Sequence, residues 1–335
     1  MPDAFVKLRD ILTSRMFVKG VFLAFFVWSG WTLWRFEQWA RGLGPYVHRP
    51  ESVAGILPVG HFTSFFAWVK GGGWDQLLPA GLVIILGAIA LSVLFKRGFC
   101  GWICPLGTVW EGAASLGKKL IGHNVRLPRW LDLIGRGFRY VIAAAALLFL
   151  FLVSIEEALT FRQTPYMWVA DLKILHTFMS ATFIAVFLLA FALSMLFGPV
   201  WCRWLCPLGG WYSVLGMASP CVVRREESTC IHCSACTDVC HAFIDVERAT
   251  TVRHAECDGC MDCVKTCPAE DCLTARGPGG VHIAPWAWPL LAVGLWLAIY
   301  ATAKVAGAWD TTIPDQVFQQ VINSGLLEQR TPGGL

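Results

Sequence analysis

Five stretches of mainly apolar residues, at 17–36, 77–95, 138–155, 175–197 and 283–303, constrain this chain before anything else does. Each is close to the roughly 20 residues that an α-helix needs to cross a hydrocarbon core of about 30 Å. Composition agrees, because 56% of the 335 residues are hydrophobic and 15% are charged, where soluble domains carry about a quarter charged residues. The surplus apolar surface must face lipid. The formal charge of +4 is dispersed along the chain, which excludes a nucleic-acid partner. The expectation is a mainly α integral membrane protein with five transmembrane helices.

Lys7, Arg9, Arg15 and Lys19 mark the start of the first stretch, as in a signal peptide. The apolar run is too long for that, and no small-residue cleavage site follows, so it reads as a retained anchor. Arg139, near one end of the short third stretch, has a side chain long enough to snorkel to the interface. Nineteen of the 27 lysines and arginines fall on the side of the N-terminus and the connections 2–3 and 4–5, and eight on the other. The positive-inside rule then sets the N-terminus in the cytoplasm and the C-terminus outside, in the periplasm of a bacterial inner membrane. All fourteen cysteines lie on the same inner side, where thiols stay reduced.

Between the fourth and fifth stretches the composition turns from Leu, Phe and Ala to Cys, Asp, Glu, Thr and His. Cys230, Cys233, Cys236 and Cys240 follow a C-x2-C-x2-C-x3-C rhythm, and Cys257, Cys260, Cys263 and Cys267 repeat it, with Pro268 after the last. That is the two-cluster [4Fe-4S] spacing, in which the fourth cysteine of each run ligates the other cluster. One cluster therefore takes Cys230, Cys233, Cys236 and Cys267, and the other Cys257, Cys260, Cys263 and Cys240. Zinc sites use C-x2-C pairs separated by a longer loop and fit this rhythm poorly. Cys240 is followed by His241 where the usual pattern has proline. Cys221 and Cys272 are extra and read as ordinary buried thiols. The insert is expected to be a small α+β two-cluster ferredoxin-like fold held together largely by its clusters.

A second pattern is an internal repeat. Phe99-Cys100-Gly101-Trp102-Ile103-Cys104-Pro105-Leu106-Gly107 recurs as Trp201-Cys202-Arg203-Trp204-Leu205-Cys206-Pro207-Leu208-Gly209, each copy after an apolar stretch. Spacing of i, i+4 puts both cysteines of a pair on one face of a helix, and the proline ends or kinks it. Two such pairs facing one another present four thiols for an extra metal, cluster or redox site; the plainer reading is a packing motif with small buried cysteines.

The layout of apolar spans, two CxxxCP elements and a two-cluster insert resembles the NapH/NosR-type membrane ferredoxins. The CPLG elements at 104–107 and 206–209 and the cysteine runs at 230–267 carry that resemblance, and the outer segment Arg49-Pro50-Glu51-Ser52-Val53-Ala54-Gly55-Ile56-Leu57-Pro58-Val59 is similar to one in that family. It implies a quinol dehydrogenase component that passes electrons from the quinol pool towards a periplasmic iron–sulfur or cytochrome partner and a reductase. The same architecture implies two alternatives, a copper- or iron-reducing metal-handling polyferredoxin and a redox-sensing assembly or regulatory factor. With about sixteen residues before the first span, the chain is nearer in layout to the shorter nitrate-reductase type, and its fifth span departs from a four-span plan.

Quinol oxidation releases protons, and His48, His61 and His176 are the titratable candidates, on the outer side with Glu156 and Glu157. His48 and His61 sit among Tyr46, Phe62, Phe65, Phe66 and Trp68, an interfacial or re-entrant piece that ends in Gly71-Gly72-Gly73. Each histidine taken singly is more simply an interface residue that does no chemistry. The expected organisation is a membrane domain at 1–219, a cytoplasmic two-cluster domain at 220–280, a fifth span at 281–306 and a periplasmic tail at 307–335.

Overall fold

The computed structural model describes residues 10–56, 58–125 and 127–327, so Lys7, Arg9, Leu57, Arg126, Arg330 and Pro332 lie outside the described residues. The chain is mostly helical. Helices α1 (Arg15–Ala40), α2 (Pro58–Val69), α3 (Pro79–Leu94), α4 (Pro105–Ile121) and α5 (Arg129–Leu152) come first. The short helices α6 (Ile155–Arg162) and α7 (Pro165–Trp168) lead to α8 (Ala170–Phe178), α9 (Ala181–Phe197) and α10 (Pro207–Met217). The insert contributes β1 (Val222–Arg225), α11 (Ala235–Asp238), β2 (Thr251–Val252), α12 (Asp262–Thr266), β3 (Leu273–Arg276) and β4 (His282–Ile283), before α13 (Ala287–Val305) and α14 (Asp315–Asn323).

Helices Arg15–Ala40, Trp130–Leu152 and Ala287–Val305 are long and apolar enough to cross a membrane. The pair α8 and α9 adds a fourth span if counted as one, although it bends by 67°, and α3 is a shorter apolar helix. The bend has a local cause, because the Ser180 hydroxyl accepts from Phe183 N at 3.2 Å and so starts a new helix after α8. Helix α9 is apolar on every face, and Ile184, Val186, Leu188 and Leu189 are exposed. With no water-facing stripe, such a helix belongs in lipid.

The described residues form two compact units. The first comprises Met1–Leu23, Gly87–Ala146 and Leu189–Ala298. Its antiparallel sheet has the order β2-β1-β3-β4, with Val223 opposite Val252 and Ala275. The core beside the sheet is built from Leu91, Phe95, Trp102, Ile244, Val252 and Trp288, all buried, with Phe95 and Trp288 edge to face at 5.5 Å. Arg139 does not snorkel. It is fully buried in this unit, where Glu256 (2.5 Å) and the Cys202 carbonyl (2.9 Å) accept from it. A buried guanidinium stays charged where a carboxylate meets it, so the partner from the insert overrides the interface.

The second unit comprises Ala24–Leu86, Leu147–Leu188 and Ile299–Leu335. Leu33, Phe36, Leu78, Leu172, Phe318 and Ile322 form its core. Buried Arg49 pairs with Asp171 at 2.7 Å and Glu51 at 3.3 Å, and its guanidinium lies over the Phe318 ring.

Candidate iron–sulfur centres

The two cysteine runs of the insert wind in the same way. Between the first and second cysteines of each run sits a left-handed residue, His232 (φ 54°) in one and Gly259 (φ 68°) in the other. Between the second and third sits another, Ser234 (φ 58°) and Met261 (φ 66°). Non-glycine residues in this region cost on the order of 1–3 kcal/mol each and persist where surroundings impose them. Alternating left-handed residues curl the chain so that backbone N–H groups and thiols face a common centre, the concave nest that binds anions and iron–sulfur groups. Helices α11 and α12 follow these turns directly, with Ser234 and Met261 as their N-caps.

Cys230, Cys233, Cys236 and Cys267 line one hollow, and Cys236 and Cys267 are electrostatic neighbours. Cys272 lines the same hollow, close to Cys230 and Cys267. Cys263 has Cys257 and Cys240 as charge neighbours, with Cys236 of the other set next. All fourteen cysteines are free thiols.

The CxxxCP elements differ from a continuous helix face. Phe99–Ile103 and Trp201–Leu205 are single π-turns, closed by Cys104 N donating to Phe99 O and Cys206 N to Trp201 O, both at 2.9 Å. Cys104 (φ −61°, ψ 117°) and Cys206 (φ −72°, ψ 109°) then leave the helical region, and Pro105 and Pro207 open α4 and α10. Proline lacks the N–H that a first helical turn leaves unused, which is why each new helix starts there. Gly209 N donates to Cys206 Sγ at 3.3 Å, so the second sulfur sits at the positive end of α10. π-turns recur at functional sites because they redirect side chains without ending the helical path.

Cys100, Cys104, Cys202 and Cys206 line one cavity of about 100 Å³, together with Arg97 and Glu256. Burial pushes the Cys104 thiol up to about 12 and raises Cys100, Cys202 and Cys206, with neighbouring cysteines adding to the rise for the first three. Four buried thiolates coexist only with a bound cation to balance them. Arg97 Nε and Arg203 Nη1, on two guanidinium groups that line the cavity, are buried without a hydrogen-bond partner among the described residues. The cavity thus offers soft donors and unpartnered guanidinium N–H groups, and both fit an anionic metal–sulfur group.

The 257–260 turn of the insert packs on the first CxxxCP turn. Trp102 Nε1 donates to Gly259 O at 3.1 Å, and a Cβ on Gly101 would lie 2.5 Å from Asp258 O. Arg15 bonds Asp258 at 2.8 Å, Glu111 at 2.7 Å and Asp262 at 3.2 Å, while Lys19 bonds Glu111 at 2.6 Å. His241 Nε2 lies 3.0 Å from Asp258. Burial disfavours the Asp258 carboxylate, but His241 and Arg15 hold its carboxyl well below the usual range. His241, Asp258 and Cys260 lie close enough together to share a metal ion, yet Asp258 is already committed to Arg15 and His241.

The three candidate histidines have different nearest neighbours. His48 is mostly exposed, 3.7 Å from Asp315, and His176 Nε2 lies 2.9 Å from Glu37. His61 is buried, with its ring against Gly81 and Nδ1 unpartnered among the described residues. Glu157 is engaged in a capping box with Ser154 at the start of α6. Sequence reasoning missed Arg15, Arg97, Glu111, Glu256 and Asp258. The available signal was Lys19 and Arg139 inside apolar stretches, since charges there mark functional interiors.

Two family models match. One described as a 4Fe-4S binding domain covers residues 77–124 and 179–218, and one described as a 4Fe-4S dicluster domain covers residues 222–268. YccM of Escherichia coli (strain K12), an electron transport protein by name, is 31% identical over 94% of this chain and 91% of its own length. The chain belongs to the NapH/NosR-type 4Fe-4S ferredoxin-like proteins. Within that family, the ferredoxin-type protein NapH of Haemophilus influenzae is 30% identical over 58% of this chain and 57% of its own. The regulatory protein NosR of Stutzerimonas stutzeri is 26% identical over 67% of this chain and 30% of its own. No solved structure matches. As a family member with apolar membrane helices, the chain is a membrane protein of iron–sulfur electron transport.

Proposed function

We propose that this NapH/NosR-type protein exchanges electrons with quinol through three thiolate sites. Two [4Fe-4S] clusters would be held by the interleaved sets Cys230, Cys233, Cys236, Cys267 and Cys257, Cys260, Cys263, Cys240. A third iron–sulfur cluster would be held by Cys100, Cys104, Cys202 and Cys206. Bound clusters would supply one-electron transfer at potentials tuned by charge, sulfur hydrogen bonds and burial. The division into a membrane domain (1–219), insert (220–280), fifth span (281–306) and tail (307–335) belongs to this reading. So do the cytoplasmic N-terminus and insert, the inner-membrane location, and the periplasmic iron–sulfur or cytochrome partner and reductase.

The observation that carries the reading is the contact of the 257–260 turn with the 100–104 turn, which sets two thiol groups side by side. A family model named for 4Fe-4S binding covers both CxxxCP elements, which supports iron–sulfur over other metals there. A cavity of about 330 Å³, lined by Arg15, Lys19, Lys118 and His123, borders Cys240 and lies within the size range of small-molecule sites. We assign the quinol headgroup to it.

The test uses the anaerobic protein in lipid vesicles with a reduced short-chain quinol. Low-temperature EPR should show reduced clusters after quinol is added. Clusters that respond to dithionite but not to quinol would sink the quinol assignment and leave the iron–sulfur reading standing. Stoichiometric copper in place of iron at the CxxxCP cysteines would favour the metal-handling alternative.

A further inference from the structure

We infer that Arg97, opposed by Glu256, sets the reduction potential of the cluster held by the CxxxCP cysteines, an inference that rests on the proposed reading of those four residues. Several charges stand near the cavity, but most are already spent. Arg203 is bound in a fork by Asp132, with both contacts at 2.7 Å. Arg139 does not line the cavity, and Cys202 O, Tyr140 Oη, Ser213 Oγ and Glu256 accept from its guanidinium. Asp258 is balanced by Arg15 and His241. Glu111 is balanced by Arg15 and Lys19.

Arg97 is different. It is buried, lines the cavity directly against Cys100, and donates to one carboxylate, Glu256 at 3.1 Å; its Nε, like Arg203 Nη1, has no hydrogen-bond partner among the described residues, but Arg203 is turned to Asp132 whereas Arg97 faces the Cys100 thiol. Glu256 lines the same cavity and also accepts from Arg139 at 2.5 Å. Reduction adds negative charge to a thiolate-held cluster, so a facing cation stabilises the reduced form and a facing anion disfavours it. In a buried site these effects are weakly screened. The two residues therefore pull the potential in opposite directions. Neither is a ligand; both are positioning residues that act on the cluster through its field.

The experiment is a redox titration followed by EPR on the anaerobic full-length protein, with the CxxxCP signal assigned as the one lost in Cys104→Ser. R97Q should shift that midpoint to lower potential and R97K should shift it less in the same direction. E256Q should shift it upward. A residue that only supports the fold would not give shifts of opposite sign. If R97Q does not fold, R97K against E256Q decides by the same signs. A third signal that stays put, or moves the same way in both variants, overturns the inference alone. Wild-type protein with no signal that Cys104→Ser removes overturns the three-cluster reading, and the inference with it.

Discussion

A methyl group on Gly101 would lie 2.5 Å from the carbonyl oxygen of Asp258 and 3.4 Å from its Cβ, so the insert turn and the CxxxCP turn meet with no room for a side chain. Gly112, in the interior of α4, has nothing within 4 Å of the same position. These two glycines give the contact a clean test. G101A should lower thermal stability by about 1–3 kcal/mol through overpacking. G112A should raise it by up to about 1 kcal/mol, because alanine is the better helix former. The measurement is thermal unfolding of the detergent-solubilised holoprotein. Equal effects at both sites would mean that the turns are not in contact. Nothing in the sequence distinguishes Gly101 from any other glycine in a helical stretch. The iron–sulfur character of the insert, by contrast, was legible from cysteine spacing alone, because ligand geometry is a local demand on the chain.

At the scale of elements, apolar runs were readable where lipid imposes a minimum length, and less so where local polar chemistry intervenes. The fourth stretch splits because Ser180 caps α9, and the third contains Arg139, whose place depends on Glu256, 117 residues away. The π-turns were missed for a similar reason: i, i+4 spacing suggests an α-helical face, whereas the turn widens and the proline restarts the helix one residue after each second cysteine. Helix α13 is long and apolar enough to cross a membrane, and its flanks are open, with Val281 65% and Val305 91% exposed. If the proposed orientation holds, V305C should react with a membrane-impermeant maleimide in intact spheroplasts, and V281C only in inverted vesicles. The reverse pattern would invert the topology. Labelling of both from one side would remove α13 as a span.

Taken as a whole, the chain gathers all fourteen cysteines in one compact unit and the three candidate histidines, His48, His61 and His176, in the other. The sorting of thiols was visible in the sequence, where all of them fall in the connections 2–3 and 4–5. The charge pairs around them were not, because Arg15, Arg97 and Arg139 meet carboxylates that lie far along the chain. Charge pairing across such distances leaves no periodic trace. The sequence offered His48, His61 and His176 as candidates by residue type alone, and their nearest neighbours, Asp315, Gly81 and Glu37, could be read only from the structure. The most direct test of the account is the iron and acid-labile sulfide content of protein purified anaerobically, set beside Cys104→Ser. Three cubane sites predict about twelve iron and twelve sulfide atoms per chain, falling to about eight in the variant. Zinc in place of iron, or a wild-type content of about eight that the substitution leaves unchanged, would contradict it.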